Sequence, residues 1–118
     1  MVLFEKLGGL PVASREIEAI RRSLEQLFNT REDYGAFVEG YGLKELSLFA
    51  TEISLAEHIR ELTARWEPRL GSALVEAIGR DSERRLHFRL SGHLGDELYI
   101  LRVMLNPNLF EAKVSLEQ

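Results

Sequence analysis

Apolar residues recur along this chain with two different periods, and the change from one to the other falls near residue 67. Between Arg15 and Phe28, Ile17, Ile20, Leu24, Leu27 and Phe28 fall at i, i+3, i+7, i+10 and i+11, one continuous stripe of an amphipathic helix. Ser14 offers an N-cap oxygen, and Glu16 and Glu18 stand near the positive end of the helix dipole. Asn29-Thr30-Arg31 closes the element. A second helix is expected from about Leu55 to Trp66, with Leu55, Ile59, Leu62 and Trp66 on one face and His58 and Arg60 off it. Ser54-Leu55-Ala56-Glu57 reads as its capping box, and Pro68 should end it at Trp66 or Glu67.

Beyond Pro68 the period becomes 2. Leu86, Phe88 and Leu90 alternate with His87, Arg89 and Ser91, and Phe110, Ala112, Val114 and Leu116 alternate with Glu111, Lys113, Ser115 and Glu117, the pattern of half-buried strands. Leu98 to Leu105 is apolar on both faces, as a central strand would be, and a weaker strand covers about Ala73 to Ile78. Turn residues at Gly79-Arg80-Asp81-Ser82, Gly92 to Asp96 and Asn106-Pro107-Asn108 separate them by short connections, which imply an antiparallel meander. The expected fold class is therefore α+β: two main N-terminal helices packed on a C-terminal antiparallel sheet of about four strands. Residues 29–53, punctuated by Tyr34-Gly35, Gly40 and Tyr41-Gly42 and anchored by Phe37 and Phe49, read as an ordered connection with a helical turn around Lys44 to Phe49.

The length of 118 residues suits one domain, 1–118, with a single core. The net charge of −4 is spread evenly: residues 1–50 carry six basic and eight acidic side chains, and residues 51–118 carry nine and eleven. No basic stripe is present to neutralise a phosphate backbone or grip a membrane surface, which argues against nucleic acid and membrane partners. The absence of cysteine removes disulfides, thiolate metal sites and cysteine nucleophiles. Met1-Val2-Leu3-Phe4-Glu5-Lys6 lacks the basic start and apolar core of a signal peptide. The chain reads as cytoplasmic.

Catalytic patterns are sparse. His58, His87 and His93 lie in different elements without metal-ligand spacing, the glycines match no phosphate-binding fingerprint, and no serine sits in a nucleophile elbow. Neither cofactor nor metal is implied. Glu67, Glu76, Asp81 and Glu83 are carboxylates that a peptidoglycan-cleaving enzyme would need in facing pairs, but an acid-rich small domain supplies such candidates by chance.

Surfaces are more informative. Glu67-Pro68-Arg69 places a carboxylate and a guanidinium beside a rigid helix exit. If that exit is extended, both point to one side, where they either pair with each other or grip a partner; the plain alternative is a helix stop between solvated charges. The C-terminal strand, if it lies at a sheet edge, offers unpaired backbone groups to another chain, unless Glu111, Lys113 and Glu117 serve to protect it.

Three segments together carry a family resemblance: Leu27-Phe28-Asn29-Thr30-Arg31, Tyr41-Gly42-Leu43-Lys44-Glu45-Leu46 and Trp66-Glu67-Pro68-Arg69-Leu70. Their order and spacing resemble the TssE family of type VI secretion baseplate proteins, related to the gp25-like wedge proteins of contractile phage tails. The leucine-rich start Leu3-Phe4-Glu5-Lys6-Leu7 is similar as well. Lys44-Glu45 stand where relatives often have proline and aspartate, and Trp66 replaces the usual phenylalanine. The resemblance implies a non-enzymatic role in the cytoplasmic baseplate wedge, with TssF- and TssG-like subunits and the sheath as partners. It also implies partner-binding positions at Glu67, Pro68, Arg69, Asn29, Thr30, Arg31, Tyr41, Gly42 and Leu43, and strand pairing between the C-terminal edge and the sheath. Two other readings compete: a lysozyme-like enzyme, a label some relatives bear, and a soluble anti-adaptor that binds a response-regulator-type partner.

Overall fold

The structure is a computed structural model that describes residues 12–30, 40–44, 51–106 and 111–117. Helix α1 spans Val12–Asn29 and helix α2 spans Glu52–Trp66. Four strands follow: β1 (Gly71–Arg80), β2 (Leu86–Leu94), β3 (Glu97–Asn106) and β4 (Glu111–Leu116). They pair antiparallel in chain order, β1-β2-β3-β4. The α+β class and the helices-before-sheet order are as the sequence predicts.

Each helix starts earlier than its pattern suggests. α1 begins at Val12, so Ser14 lies inside it, and its first turn holds no acidic residue. A sequence signal for the earlier start was Pro11, a residue whose fixed φ favours the first positions of a helix. In α2 the cap is Thr51, whose Oγ1 accepts from the Ser54 backbone N–H at 3.0 Å. Ser54 is thus the capped residue and not the cap. The expected serine–glutamate capping box is not formed; a threonine cap three residues earlier, with a serine at the third helical position, takes its place.

The helices lie on one face of the sheet, α1 over β4 and α2 over β1. Between the layers, strand register stacks the apolar positions in rows: Ala77, Phe88, Val103 and Val114 in one, Val75, Leu90, Leu101 and Leu116 in the next. Ile17, Ile20, Leu24, Leu27 and Phe28 of α1 and Leu55, Ala56, Ile59 and Leu62 of α2 close over these rows. Full burial of each large side chain contributes about 1.5–3 kcal/mol relative to exposure.

The opposite face of the sheet has no helix over it among the described residues, which corrects the expectation of two-sided burial for β3. Leu101, Val103 and Leu105 are buried, whereas Ile100 and Met104 on the other side are half-buried and Leu98 is exposed. Arg89 and Arg102 sit directly opposite each other on this outer face, an arrangement that repels. Glu76 at 3.1 Å from Arg89 and Glu117 at 2.6 Å from Arg102 neutralise the pair.

Candidate functional site

Leaving α2, the chain does not extend. The Glu67 N–H donates to the Thr63 carbonyl at 2.9 Å, and the Leu70 N–H donates back to the Glu67 carbonyl at 3.2 Å. Pro68 occupies the second position of this four-residue turn, where its fixed φ is favoured. The turn folds Arg69 back over Glu67: Arg69 Nε donates to Glu67 Oε2 at 2.8 Å and a terminal nitrogen donates to Oε1 at 2.7 Å. The two charges therefore face each other in a bidentate pair. Glu67 is 3% exposed, while the Arg69 side chain is 43% exposed. The Glu67 carboxylate holds the Arg69 guanidinium above its ordinary pKa, and Arg69 also reaches Ser23 Oγ of α1 at 3.3 Å. Leu70 then docks on β2 over Gly92, where a Cβ would lie 2.5 Å from Leu70 Cγ.

The Tyr41-Gly42-Leu43 segment straps the ends of the helices together. The Leu43 N–H donates to the Thr30 carbonyl at 2.8 Å, and the Leu43 side chain is fully buried. Gly42 has φ +106°, and a Cβ there would stand 2.7 Å from the Thr30 carbonyl oxygen, so this contact requires glycine. At the other end the Trp66 indole N–H donates to the Gly40 carbonyl at 3.0 Å. Tyr41 meets Trp66 edge-to-face with centroids 5.3 Å apart, and Arg65 lies 4.9 Å over the Trp66 ring. Burial pushes the Tyr41 hydroxyl pKa up. His58 is not merely solvated, since its Nε2 accepts from the Lys44 N–H at 3.2 Å.

Thr30, Tyr41-Gly42-Leu43 and Glu67-Pro68-Arg69 thus converge on one junction. Beside it runs a groove of about 300 Å³ lined by Ser23, Gln26, Leu27, Tyr41, Trp66 and the Glu67-Pro68-Arg69 turn. Arg31 and the turn expected around Lys44 to Phe49 lie outside the described residues, apart from Lys44 itself.

Asn29 points elsewhere. Its Nδ2 donates to the Ala112 carbonyl at 2.8 Å and its Oδ1 accepts from the Ala112 N–H at 2.7 Å. One turn earlier, Glu25 Oε2 accepts from the Val114 N–H at 2.9 Å and Arg21 donates to the Val114 carbonyl at 2.8 Å. Arg21, Glu25 and Asn29 fall at i, i+4 and i+8, a polar ladder along the rim of α1 that satisfies the outward backbone groups of β4. Sequence reasoning missed Arg21 and Glu25; the signal was this second, polar stripe running beside the apolar one.

Each nominated carboxylate is held by a neighbouring arginine, and Asp81 and Glu83 share Arg85. Asp81 accepts from the Glu83 and Arg85 N–H groups at 2.8 and 3.0 Å and bonds His87 Nε2 at 2.8 Å. The His87 bond first, and then the backbone donors, hold its carboxyl well below the usual range. Glu76 pairs with Arg89 and Glu83 with Arg85, both at the surface. Among the described residues no group of three or more His, Asp or Glu side chains is placed to hold a metal ion.

Fold and site together define a small scaffold domain, two helices on one face of a meander sheet, whose charged motif is spent on fixing its own helix–sheet junction. The model of the family described as baseplate wedge protein gp25 matches residues 14–97, and the chain belongs to that family. It therefore has a baseplate role in a contractile injection apparatus, in a family that is structural. No curated protein and no solved structure matches the chain. No helix among the described residues is long and apolar enough to cross a membrane.

Proposed function

We propose that this protein is a wedge component of a type VI secretion baseplate, on the cytoplasmic side of the inner membrane. In this reading it contacts TssF- and TssG-like subunits and starts sheath polymerisation, and its C-terminal strand meets the sheath. Family membership supports the assembly role. The observation that carries the rest is the internal Glu67–Arg69 pair, which fixes the junction and leaves the adjoining groove, with Tyr41, Trp66 and the solvated side of Arg69, as a preformed seat. A wedge subunit docking there would find aromatic anchor surface on a rigid frame, the composition that dominates interface energetics. The peptidoglycan-cleaving alternative gains nothing from this geometry, because the Glu67 carboxylate is bound through both oxygens by Arg69.

The test separates fold from docking. Arg69→Ala leaves a buried carboxylate unpaired and is expected to cost about 3 kcal/mol, at the low end for a buried pair because Arg69 is half-solvated. Gln26 is exposed on the groove wall, so Gln26→Arg should keep the wild-type melting temperature. It should also abolish co-purification with TssF- and TssG-like subunits and reduce sheath number at least tenfold in cells. Normal sheaths with Gln26→Arg would remove the groove as the docking surface and confine the motif to holding the fold.

A further inference from the structure

The outer face of the sheet carries a second groove, at the far end of β1 from the helix–sheet junction. It has a volume of about 310 Å³ and is lined by Ile78, Gly79, Arg80, Asp81, His87 and Arg102. One wall is a β-bulge. The register of β1 slips between Ala77 and Gly79, Gly79 takes φ +135°, and a Cβ there would meet nothing within 4 Å. Bulges re-aim side chains beside functional sites, and this one leaves Ile78 exposed at the groove. The other walls come from β2 and β3. His87 stands opposite Met104 and Arg89 opposite Arg102, so His87 and Arg102 are diagonal neighbours on this face.

Two buried nitrogens of these wall residues, His87 Nδ1 and Arg102 Nε, have no hydrogen-bond partner among the described residues. Each such group left alone costs about 1–3 kcal/mol, and two in one groove call for a physical reason. Their chemistry is fixed by what holds the rest of each side chain. Asp81 Oδ1 accepts from the Glu83 and Arg85 N–H groups, while Oδ2 accepts from Arg85 Nε and lies 2.8 Å from His87 Nε2. An ionised carboxylate only accepts, so His87 Nε2 carries the ring proton and Nδ1 presents a lone pair. Arg102 is held at its tip by Glu117, 2.6 Å from a terminal nitrogen, and its Nε can only donate. One acceptor and one donor thus stand unsatisfied, both on side chains already locked by carboxylates.

We infer that the groove is a binding site for a primary carboxamide, the end group of a glutamine or asparagine side chain of a partner protein. The amide N–H donates to His87 Nδ1, and the amide oxygen accepts from Arg102 Nε. A carboxylate finds a lone pair where it needs a donor, with the Asp81 charge behind it, and a cation meets Arg80 and Arg102. Both nitrogens are sealed from bulk water, so the occupant is a terminal group small and flat enough to slip in beside them. The volume is at the lower limit for a small-molecule pocket, which suits a single side chain. Around it the sheet face is uncovered among the described residues and exposes Leu74 and Leu98, apolar surface on which the segment bearing that side chain can lie. This groove is separate from the one at Tyr41 and Trp66, and the Gln26 variant leaves it untouched.

The test is an NMR titration of the isotope-labelled full chain at about pH 8, where a free imidazole carries one proton. The readouts are the His87 ring nitrogens and Arg102 Nε, the latter observed through its bond to Cζ. Acetamide should move both along one saturable curve. N,N-dimethylacetamide, which has no N–H to donate, should bind about fivefold more weakly, and acetate should move neither. A capped Ala-Gln-Ala peptide should shift the same resonances, and capped Ala-Ala-Ala should not. Arg102→Lys keeps a cation for Glu117 but removes the Nε donor, so acetamide affinity should fall about tenfold with an unchanged far-UV spectrum. A His87 ring with its proton on Nδ1, or acetate binding more tightly than acetamide, would overturn the assignment. Resonances that no probe moves would do the same, since water then satisfies both nitrogens. Acetamide binding with the glutamine peptide excluded would overturn the side-chain source. Should Arg102→Lys unfold, the wild-type contrast between acetamide and dimethylacetamide still decides the matter, and equal affinities would sink the donor–acceptor pair.

Discussion

The two edges of the sheet are kept from uncontrolled pairing by different means. β1 is broken twice, between Gly71 and Leu74 and between Ala77 and Gly79, and Ser72 adopts φ +53°. Its inward residues are only half-buried. β4 has an unbroken register, fully buried inward residues at Ala112 and Val114, and a ladder of helix side chains along its rim. A bulge is written into the backbone and no partner can undo it. A side-chain ladder is instead a set of rotamers that α1 lays along the rim of β4. One edge is thus closed by shape and the other by occupancy.

Burial should separate the edges most strongly. Val114→Asp places an unpaired charge in the core and is expected to abolish the cooperative unfolding transition, a loss above about 4 kcal/mol. Val75→Asp, at an inward position one row along on the half-buried edge, should keep the fold and lose about 1–3 kcal/mol by urea titration. Similar losses at both sites would dissolve the distinction. Next in size, Asn29→Ala removes both bonds to Ala112 and should cost about 1–2 kcal/mol with unchanged urea dependence; a loss near zero would mean that water replaces the ladder freely.

The smallest effect concerns the turn that joins β1 to β2. Asp81 holds that turn, and its carboxyl is depressed chiefly by the bond to His87. A depressed carboxyl contributes stability that is complete above its unfolded pKa of about 4 and is lost as the pH falls through the lower folded value. The wild-type melting temperature should therefore drop below about pH 4, and Asp81→Asn should be less stable at neutral pH with a flatter acid limb. Parallel acid limbs in the two proteins would place the titration elsewhere.

Much of this arrangement was legible in the chain because periodicity reports burial directly. Ile17 through Phe28, Leu55 through Leu62 and the alternation at Leu86 to Leu90 all map onto core positions. The Glu67-Pro68-Arg69 junction was visible as a motif, but its state was not: a glutamate is rarely buried, and only the turn made by Pro68 brings Arg69 over it. The ladder of Arg21, Glu25 and Asn29 was hidden for a different reason. On a helix surface those residues look like ordinary solvated charges, and their role exists only because α1 lies along β4, some ninety positions away in sequence. Caps failed locally, since Thr51 and Ser54 are both good caps and the competition between them is settled by where the helix packs.

The strap across the junction has one more consequence. Trp66 is the only tryptophan in the chain, and it lines the groove with its indole N–H on Gly40, Tyr41 at its edge and Arg65 over its face. Its emission wavelength and quenching are therefore a native, label-free gauge of whether the groove is empty or filled, and a titration cuvette is enough to read it.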